Sequence, residues 1–230
     1  NYLALEYKYV YLIFGGITAI LSIVCWIAFT HFKETVIQER KIRLKKEYWL
    51  FYTLTFLAGA RRQIFVVFAG FLLVEKFGVD VHNMVLLLFI NSVLNMYLAP
   101  KIGKFISIFG ERIALRYEYI GLVIVFVSYA FVDNLYIAFA LYVIDHLLFA
   151  MAIALKTYFQ KIADSEDMAA TASVSFTIDH IASVVIPVTF GMIWMHNPAI
   201  VFYAGAGFAV LSLIASNLIP LTPAPGNEFI

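Results

Sequence analysis

Apolar residues are grouped along the chain into seven long runs, which short polar or charged segments separate. The hydrocarbon core of a bilayer is about 30 Å thick, so a helix that crosses it needs about 20 mainly apolar residues. Runs of this kind cover residues 9–29, 49–74, 81–99, 117–132, 135–156, 169–195 and 199–219. The fourth run is short, and we expect its helix to take in residues of the preceding segment. The pattern predicts an all-α, polytopic membrane helix bundle with seven transmembrane helices.

The composition agrees with residence in a membrane. Hydrophobic residues make up 63% of the 230 residues and charged residues only 13%. Soluble domains carry about 25% charged residues, so the chain belongs to the integral membrane class. Its single cysteine, Cys25, lies in the first apolar run. No disulfide can therefore form within the chain, and two-cysteine metal or redox motifs are excluded.

Charged and titratable residues interrupt three of the runs near their centres. They are three adjacent pairs: Arg61-Arg62, Asp145-His146 and Asp179-His180. A charge at the bilayer centre costs about 2.5–3.5 kcal/mol on insertion scales, so such residues normally face a protein interior or a water-filled cavity. A rise of about 1.5 Å per residue places Arg61, Asp145 and Asp179 at similar depths near the midplane. We therefore expect at least one arginine to lie within ion-pair reach of Asp145 or Asp179.

Two interpretations of these residues stay open, namely ion pairs that hold helices together and a pathway for a substrate or for protons. Adjacent residues point about 100° apart around a helix, so only one of Arg61 and Arg62 is expected to face a cavity. Arginine does not exchange protons, so a coupling proton would be carried by Asp145, Asp179 or a histidine. Because each Asp-His pair could offer only one ligand to a shared centre, the sequence predicts neither a metal site nor a cofactor.

Lysine and arginine are distributed unevenly between the two sides of the predicted bundle. The segments after the first, third and fifth runs hold twelve of these residues, whereas the opposite side holds only Lys8 and Lys76. Cytoplasmic segments of membrane proteins carry an excess of positive charge. This bias predicts an N-terminus outside the cytoplasm and a cytoplasmic C-terminus. The expected location is the plasma membrane, for instance a bacterial inner membrane.

The segment after the third run, residues 100–112, has the sequence PKIGKFISIFGER. It resembles the short cytoplasmic loop motif of the major facilitator superfamily, Gly-x-x-x-Asp-Arg-x-Gly-Arg-Arg, with Gly103, Gly110 and Arg112 at matching positions. Three residues depart from that motif: Ser107, Ile108 and Glu111. The resemblance implies a gating loop in which the glycines permit close approach of the third and fourth helices, while Arg112 caps a helix or pairs nearby.

The order of segments extends this resemblance to nearly the whole chain. In the superfamily a long basic cytoplasmic linker joins two six-helix halves, and the motif loop lies two helices later. The resemblance implies that residues 31–47 are the linker, 1–30 hold the last helix of an N-terminal half, 48–219 form a six-helix C-terminal half, and 220–230 are a cytoplasmic tail. The five remaining helices would be supplied by upstream residues or by a partner subunit.

The resemblance also implies that the second, third, fifth and sixth runs line a central cavity. The charged pairs lie on the second, fifth and sixth of these runs. The third run carries Asn91 and Asn95, which share one face because they are four residues apart. Both asparagines are equally consistent with hydrogen bonds between packed helices. The fourth run holds one charged residue, Glu118, which its predicted bounds place near the inner membrane surface.

These features imply a secondary active transporter that moves a small solute by alternating access. Its expected partners are the lipid bilayer, the solute and the other six-helix half. The alternative is a non-transporting relative with a scaffold or assembly role, with which the departures at Ser107, Ile108 and Glu111 are compatible. The sequence shows no nucleophile–base pair, phosphate loop or nucleic-acid motif, so neither enzymatic activity nor nucleic-acid binding is predicted.

Overall fold

Two units make up the part of the chain that the computed structural model describes, residues 7–29 and 44–230. The first unit contains α1 (Tyr7–Ala28). The second contains six helices: α2 (Lys46–Glu75), α3 (Val81–Phe109), α4 (Glu111–Phe131), α5 (Leu135–Ile162), α6 (Met168–Trp194) and α7 (Pro198–Ser216). All seven are long and apolar enough to cross a bilayer, so the chain is an all-helical, multi-pass membrane protein. Most of the predicted linker, 31–47, lies outside the described residues.

Polar side chains mark the starts of three helices at one end of the second unit. Asp80, Asn134 and Asn197 each accept a hydrogen bond from an amide of the following first turn, at 2.8, 2.9 and 3.0 Å respectively. The first amides of a helix have no partner within the helix, so such side chains define where it begins. Short junctions with these caps keep successive helices adjacent in the bundle.

The junction between α3 and α4 differs from the sequence-based expectation. Helix α3 does not end near Pro100 but continues to Phe109, and α4 begins at Glu111. The segment expected to be a gating loop is therefore mostly helix, with Gly110 as its only break. Gly110 has φ +83°, a backbone conformation that residues with a β-carbon seldom adopt. The fourth helix takes in residues of the preceding segment, as the short fourth run predicts.

The gating role that the resemblance implies for the two glycines is not supported by their surroundings. A β-carbon added at Gly103 or at Gly110 would have no atom of the described residues within 4 Å. Gly110 is needed for the turn, and neither glycine is needed for close approach of α3 and α4. Ser107 is exposed. The Nε atom of Arg112 is buried and makes no hydrogen bond with the described residues.

Helices α2 and α5 each contain an irregular turn close to a charged pair. In α2 a π-helical turn, Phe65–Ala69, follows the two arginines, and the Phe65 amide donates to the carbonyls of both Arg61 and Arg62. In α5 a 3₁₀ turn, Ala150–Ala152, follows the Asp145-His146 pair. Single π-helical turns within α-helices occur frequently at functional sites.

Packing relates the first three helices of the second unit to the last three. The largest interhelical contact joins α4 to α7. Helix α2 packs on α6 and α7, while α5 packs on α3 and α4. Exchanging α2 with α5, α3 with α6 and α4 with α7 leaves this set of contacts unchanged. The bundle therefore consists of two three-helix sets, α2–α4 and α5–α7, with equivalent packing.

At two of these contacts a glycine allows a side chain of the neighbouring helix to pack against the backbone. A β-carbon at Gly205 of α7 would lie 2.6 Å from the Phe126 ring of α4, so the ring occupies that space. At Gly121 of α4 the space is filled by Leu148 of α5. Gly207, two residues later on α7, has no atom of the described residues within 4 Å of such a β-carbon.

The buried apolar side chains form two clusters, one toward each end of the bundle. One contains residues 48–54 of α2, 114–119 of α4 and 154–162 of α5. The other contains residues 60–73 of α2, 122–129 of α4 and 138–142 of α5. The boundary between the clusters crosses each helix near its middle. Buried polar side chains of α2, α4 and α5 lie at this boundary.

Candidate functional site

Arg61 is directed into the bundle and is fully buried. One terminal nitrogen, Nη2, lies 3.8 Å from Oε1 of Glu118 on α4. The guanidinium carbon lies 4.5 Å from the centre of the Tyr119 ring, within the range of a cation–π contact. The Nε atom donates to the carbonyl of Leu57, one turn earlier, at 3.2 Å. The side chain is thus fixed against α4 and does not reach a free surface.

Glu118 is a charged partner that the sequence-based analysis did not assign. It is 1% exposed, and neither of its carboxylate oxygens forms a hydrogen bond with the described residues. Because α4 begins at Glu111, Glu118 lies about 10 Å inside the helix and not near its end. The signal that could have located it is Gly110, since the helix continues back to that residue.

Asp145 of α5 is the second buried carboxylate. It is fully buried, and neither oxygen forms a hydrogen bond with the described residues. The Phe65 ring lies 5.2 Å from the Tyr142 ring and 5.6 Å from the His146 ring, which directs this part of α5 toward α2. Asp145 interacts electrostatically with both Arg61 and Glu118.

Arg61, Glu118 and Asp145 form what we call the buried triad. Its members come from α2, α4 and α5, which meet at the boundary between the two apolar clusters. It corrects the predicted pairing, because in the described part of the chain the salt bridge of Arg61 is with Glu118. Neither Asp145 nor Asp179 forms a salt bridge with an arginine there, although both interact electrostatically with one at longer range.

Arg62 belongs to a different environment from its neighbour in the sequence. It is exposed, and so are Lys156 of α5 and Asp179 of α6. Arg62 and Lys156 both interact electrostatically with Asp179. A β-carbon at Gly59 of α2 would lie 2.9 Å from Oδ1 of Asp179, so this glycine allows the carboxylate to lie against α2. These three side chains define an exposed charged face.

The two histidines of the charged pairs lie beside this face. His180 is exposed, and its Nδ1 lies 2.8 Å from the carbonyl of Phe176. His146 is half-buried, with Nδ1 3.0 Å from the carbonyl of Tyr142. It also interacts electrostatically with Arg62. His146 thus interacts with the exposed charged face through Arg62, and it directly follows Asp145 of the buried triad in the sequence.

The two asparagines of α3 also differ in their environments. Asn91 is buried, and neither its amide nitrogen nor its amide oxygen forms a hydrogen bond with the described residues. Asn95 is half-buried. Neither residue makes an interhelical side-chain hydrogen bond within the described ranges, so a role in linking helices lacks a contact that would support it.

Comparisons with known proteins add no family assignment. No protein-family model matches the chain, and no curated protein is similar to it in sequence. The buried triad and the exposed charged face are therefore the features from which a function can be inferred.

Proposed function

We propose that this chain forms the C-terminal six-helix half, with the helix preceding the linker, of a transporter of the major facilitator type. It would move a small solute across the membrane by alternating access. One observation carries this proposal: Arg62, Lys156 and Asp179 are exposed on apolar, membrane-spanning helices. Charged side chains are too costly to leave in lipid, so this face requires water or another protein surface in front of it.

The equivalent packing of the two three-helix sets supports the same proposal. Equivalent helices are three positions apart in the order of the chain, so α2 and α5 cross the membrane in opposite directions. Repeats of inverted topology are common in secondary transporters, where the solute binds near the midplane between repeated units. The exposed charged face lies on α2, α5 and α6, the helices that the resemblance assigns to the cavity. The second half would supply the opposite wall.

Alternating access can be tested without knowledge of the solute. Thr177 of α6 is exposed and shares a helix face with His180, whereas Leu211 of α7 is exposed on an apolar surface. In a Cys25→Ser background, a membrane-impermeant thiol reagent should modify Thr177→Cys when it is added from either side of the membrane. The physical reason is that a water-filled cavity opens in turn to each side.

Leu211→Cys is the matched control, and we expect little modification because it faces lipid. Modification of Thr177→Cys from one side only would contradict alternating access and favour a scaffold role. Equal, slow modification of both cysteines would indicate that the charged face borders no aqueous cavity.

A further inference from the structure

The buried triad contains one permanent positive charge and two carboxyl groups. Arg61 remains protonated in proteins, so it balances one carboxylate. Glu118 and Asp145 are both essentially inaccessible to solvent, and their four oxygens form no hydrogen bonds with the described residues. A second carboxylate would be an uncompensated charge in an apolar interior, which is costlier than its protonation. The composition of the triad therefore calls for one additional cation.

We propose that the buried triad binds one proton, shared between Glu118 and Asp145, and that Arg61 is its fixed counter-ion. This inference deepens the proposed function, because it assigns the coupling ion of the transporter to a site behind the charged face. The proton binds to an oxygen of one carboxylate and forms a neutral carboxyl group. On release it passes to water, and the carboxylate regains its negative charge.

The groups around the triad favour a proton over a metal cation. The guanidinium of Arg61 lies 3.8 Å from Glu118, and its positive charge would repel a second cation at the same oxygens. Three phenols also lie near the triad: Tyr119, beneath Arg61, and Tyr129 and Tyr142, which interact electrostatically with Asp145. The phenols are neutral at ordinary pH.

A route for the proton is available along α5. His146 follows Asp145 directly, is half-buried, and interacts with Arg62 of the charged face. Imidazole exchanges protons near neutral pH, so His146 can relay a proton between the buried triad and an aqueous cavity. Asp179, in contrast, is exposed and interacts electrostatically with two cations, Arg62 and Lys156.

Infrared spectroscopy of the native, full-length protein in liposomes can detect this proton. At neutral pH the wild type should show a carbonyl stretch of a protonated carboxyl group that shifts in deuterated water. Glu118→Gln and Asp145→Asn should each abolish the band, because the remaining carboxylate then pairs with Arg61. Arg61→Gln should increase the band area about twofold, because both carboxyl groups are then neutral. The control Glu75→Gln, at an exposed carboxylate of α2, should leave it unchanged.

A second measurement does not depend on the folding of any variant. Wild-type protein titrated from alkaline to neutral pH should gain this band in parallel with proton uptake. A wild type without the band at neutral pH, or a band that survives both single substitutions, would overturn the proposal. A band that disappears when sodium replaces potassium would instead identify a sodium site. The thiol experiment tests transport separately, so two-sided access without the band would reject the proton site alone.

Discussion

At the residue scale, Arg61 and Arg62 show how far a sequence can locate charges in a membrane protein. Their depth and their divergence around the helix follow from helical geometry, and the structure shows one buried and one exposed. The salt-bridge partner of Arg61, Glu118, was not predicted, because the apolar residues alone place the start of the fourth helix too late in the sequence. Glu111 extends α4 into polar sequence, where its carboxylate pairs with Lys161 at 2.6 Å. Counting apolar residues cannot predict a helix start that such an ion pair stabilises.

The buried triad makes Arg61 more important for stability than its neighbour. We expect Arg61→Gln to lower the free energy of unfolding by about 3–5 kcal/mol, because the one ionised carboxylate of the triad loses its buried counter-ion. The deficit should shrink as the pH falls, because the variant must bind a second proton to neutralise that carboxylate and this uptake costs less at lower pH. Thermal and denaturant unfolding in detergent at several pH values would measure both effects.

Arg62→Gln is the matched control, one residue away on the same helix. Its side chain is exposed, so the change in unfolding free energy should stay within about 0.5 kcal/mol. Equal losses from the two substitutions would show that Arg61 is not held in a buried ion pair.

At the element scale, the junction between α3 and α4 departs most from the expectation. The resemblance implies a gating loop over residues 100–112, yet the helix continues through Pro100. Proline removes a single backbone donor, and neighbouring groups in a membrane helix can compensate for that loss. A break between the third and fourth helices is thus predicted, but in the structure this break is the single residue Gly110. The π-helical turn of α2 has no sequence signal that we recognise.

The positive φ of Gly110 predicts a clear difference between two glycines of one segment. Gly110→Ala should lower the free energy of unfolding by about 1–3 kcal/mol, because the backbone conformation is strained for any residue with a β-carbon. Gly103→Ala should leave stability unchanged or raise it by up to about 1 kcal/mol, because alanine favours the helix and the space is open. Unfolding midpoints of the two variants, measured side by side, would test this difference. Similar losses of stability would show that Gly110 is not the strained turn between α3 and α4.

At the scale of the whole molecule, the equivalent packing of α2–α4 and α5–α7 is the organising feature. The apolar runs predict the number of helices and their order. They do not predict which helices touch, because contacts between helices in lipid depend on small residues and shape more than on hydrophobicity. Gly205 and Gly207 illustrate this limit. Both lie in the same apolar run, but only Gly205 lies against another helix.

The α4–α7 contact joins the two three-helix sets, so disturbing it should weaken the whole unit. Gly205→Ala should lower the free energy of unfolding by about 1–3 kcal/mol, because the added methyl group overlaps the buried Phe126 ring. Gly207→Ala, on the same helix, should be neutral or slightly stabilising. Thermal unfolding of both variants gives the comparison, and an unaffected Gly205→Ala would mean that the ring can move aside without loss.

The long sequence separation of the Arg61–Glu118 salt bridge has a consequence for biosynthesis. Helix α2 leaves the ribosome with its arginine roughly 60 residues before Glu118 is made, a delay of about 3–12 s at ordinary rates of translation. During that interval Arg61 has no carboxylate from α4 to pair with, and its charge opposes the insertion of α2 alone. We expect the insertion machinery to retain α2 until α4 arrives, and a membrane chaperone that shields intramembrane arginines to shorten the maturation of this protein.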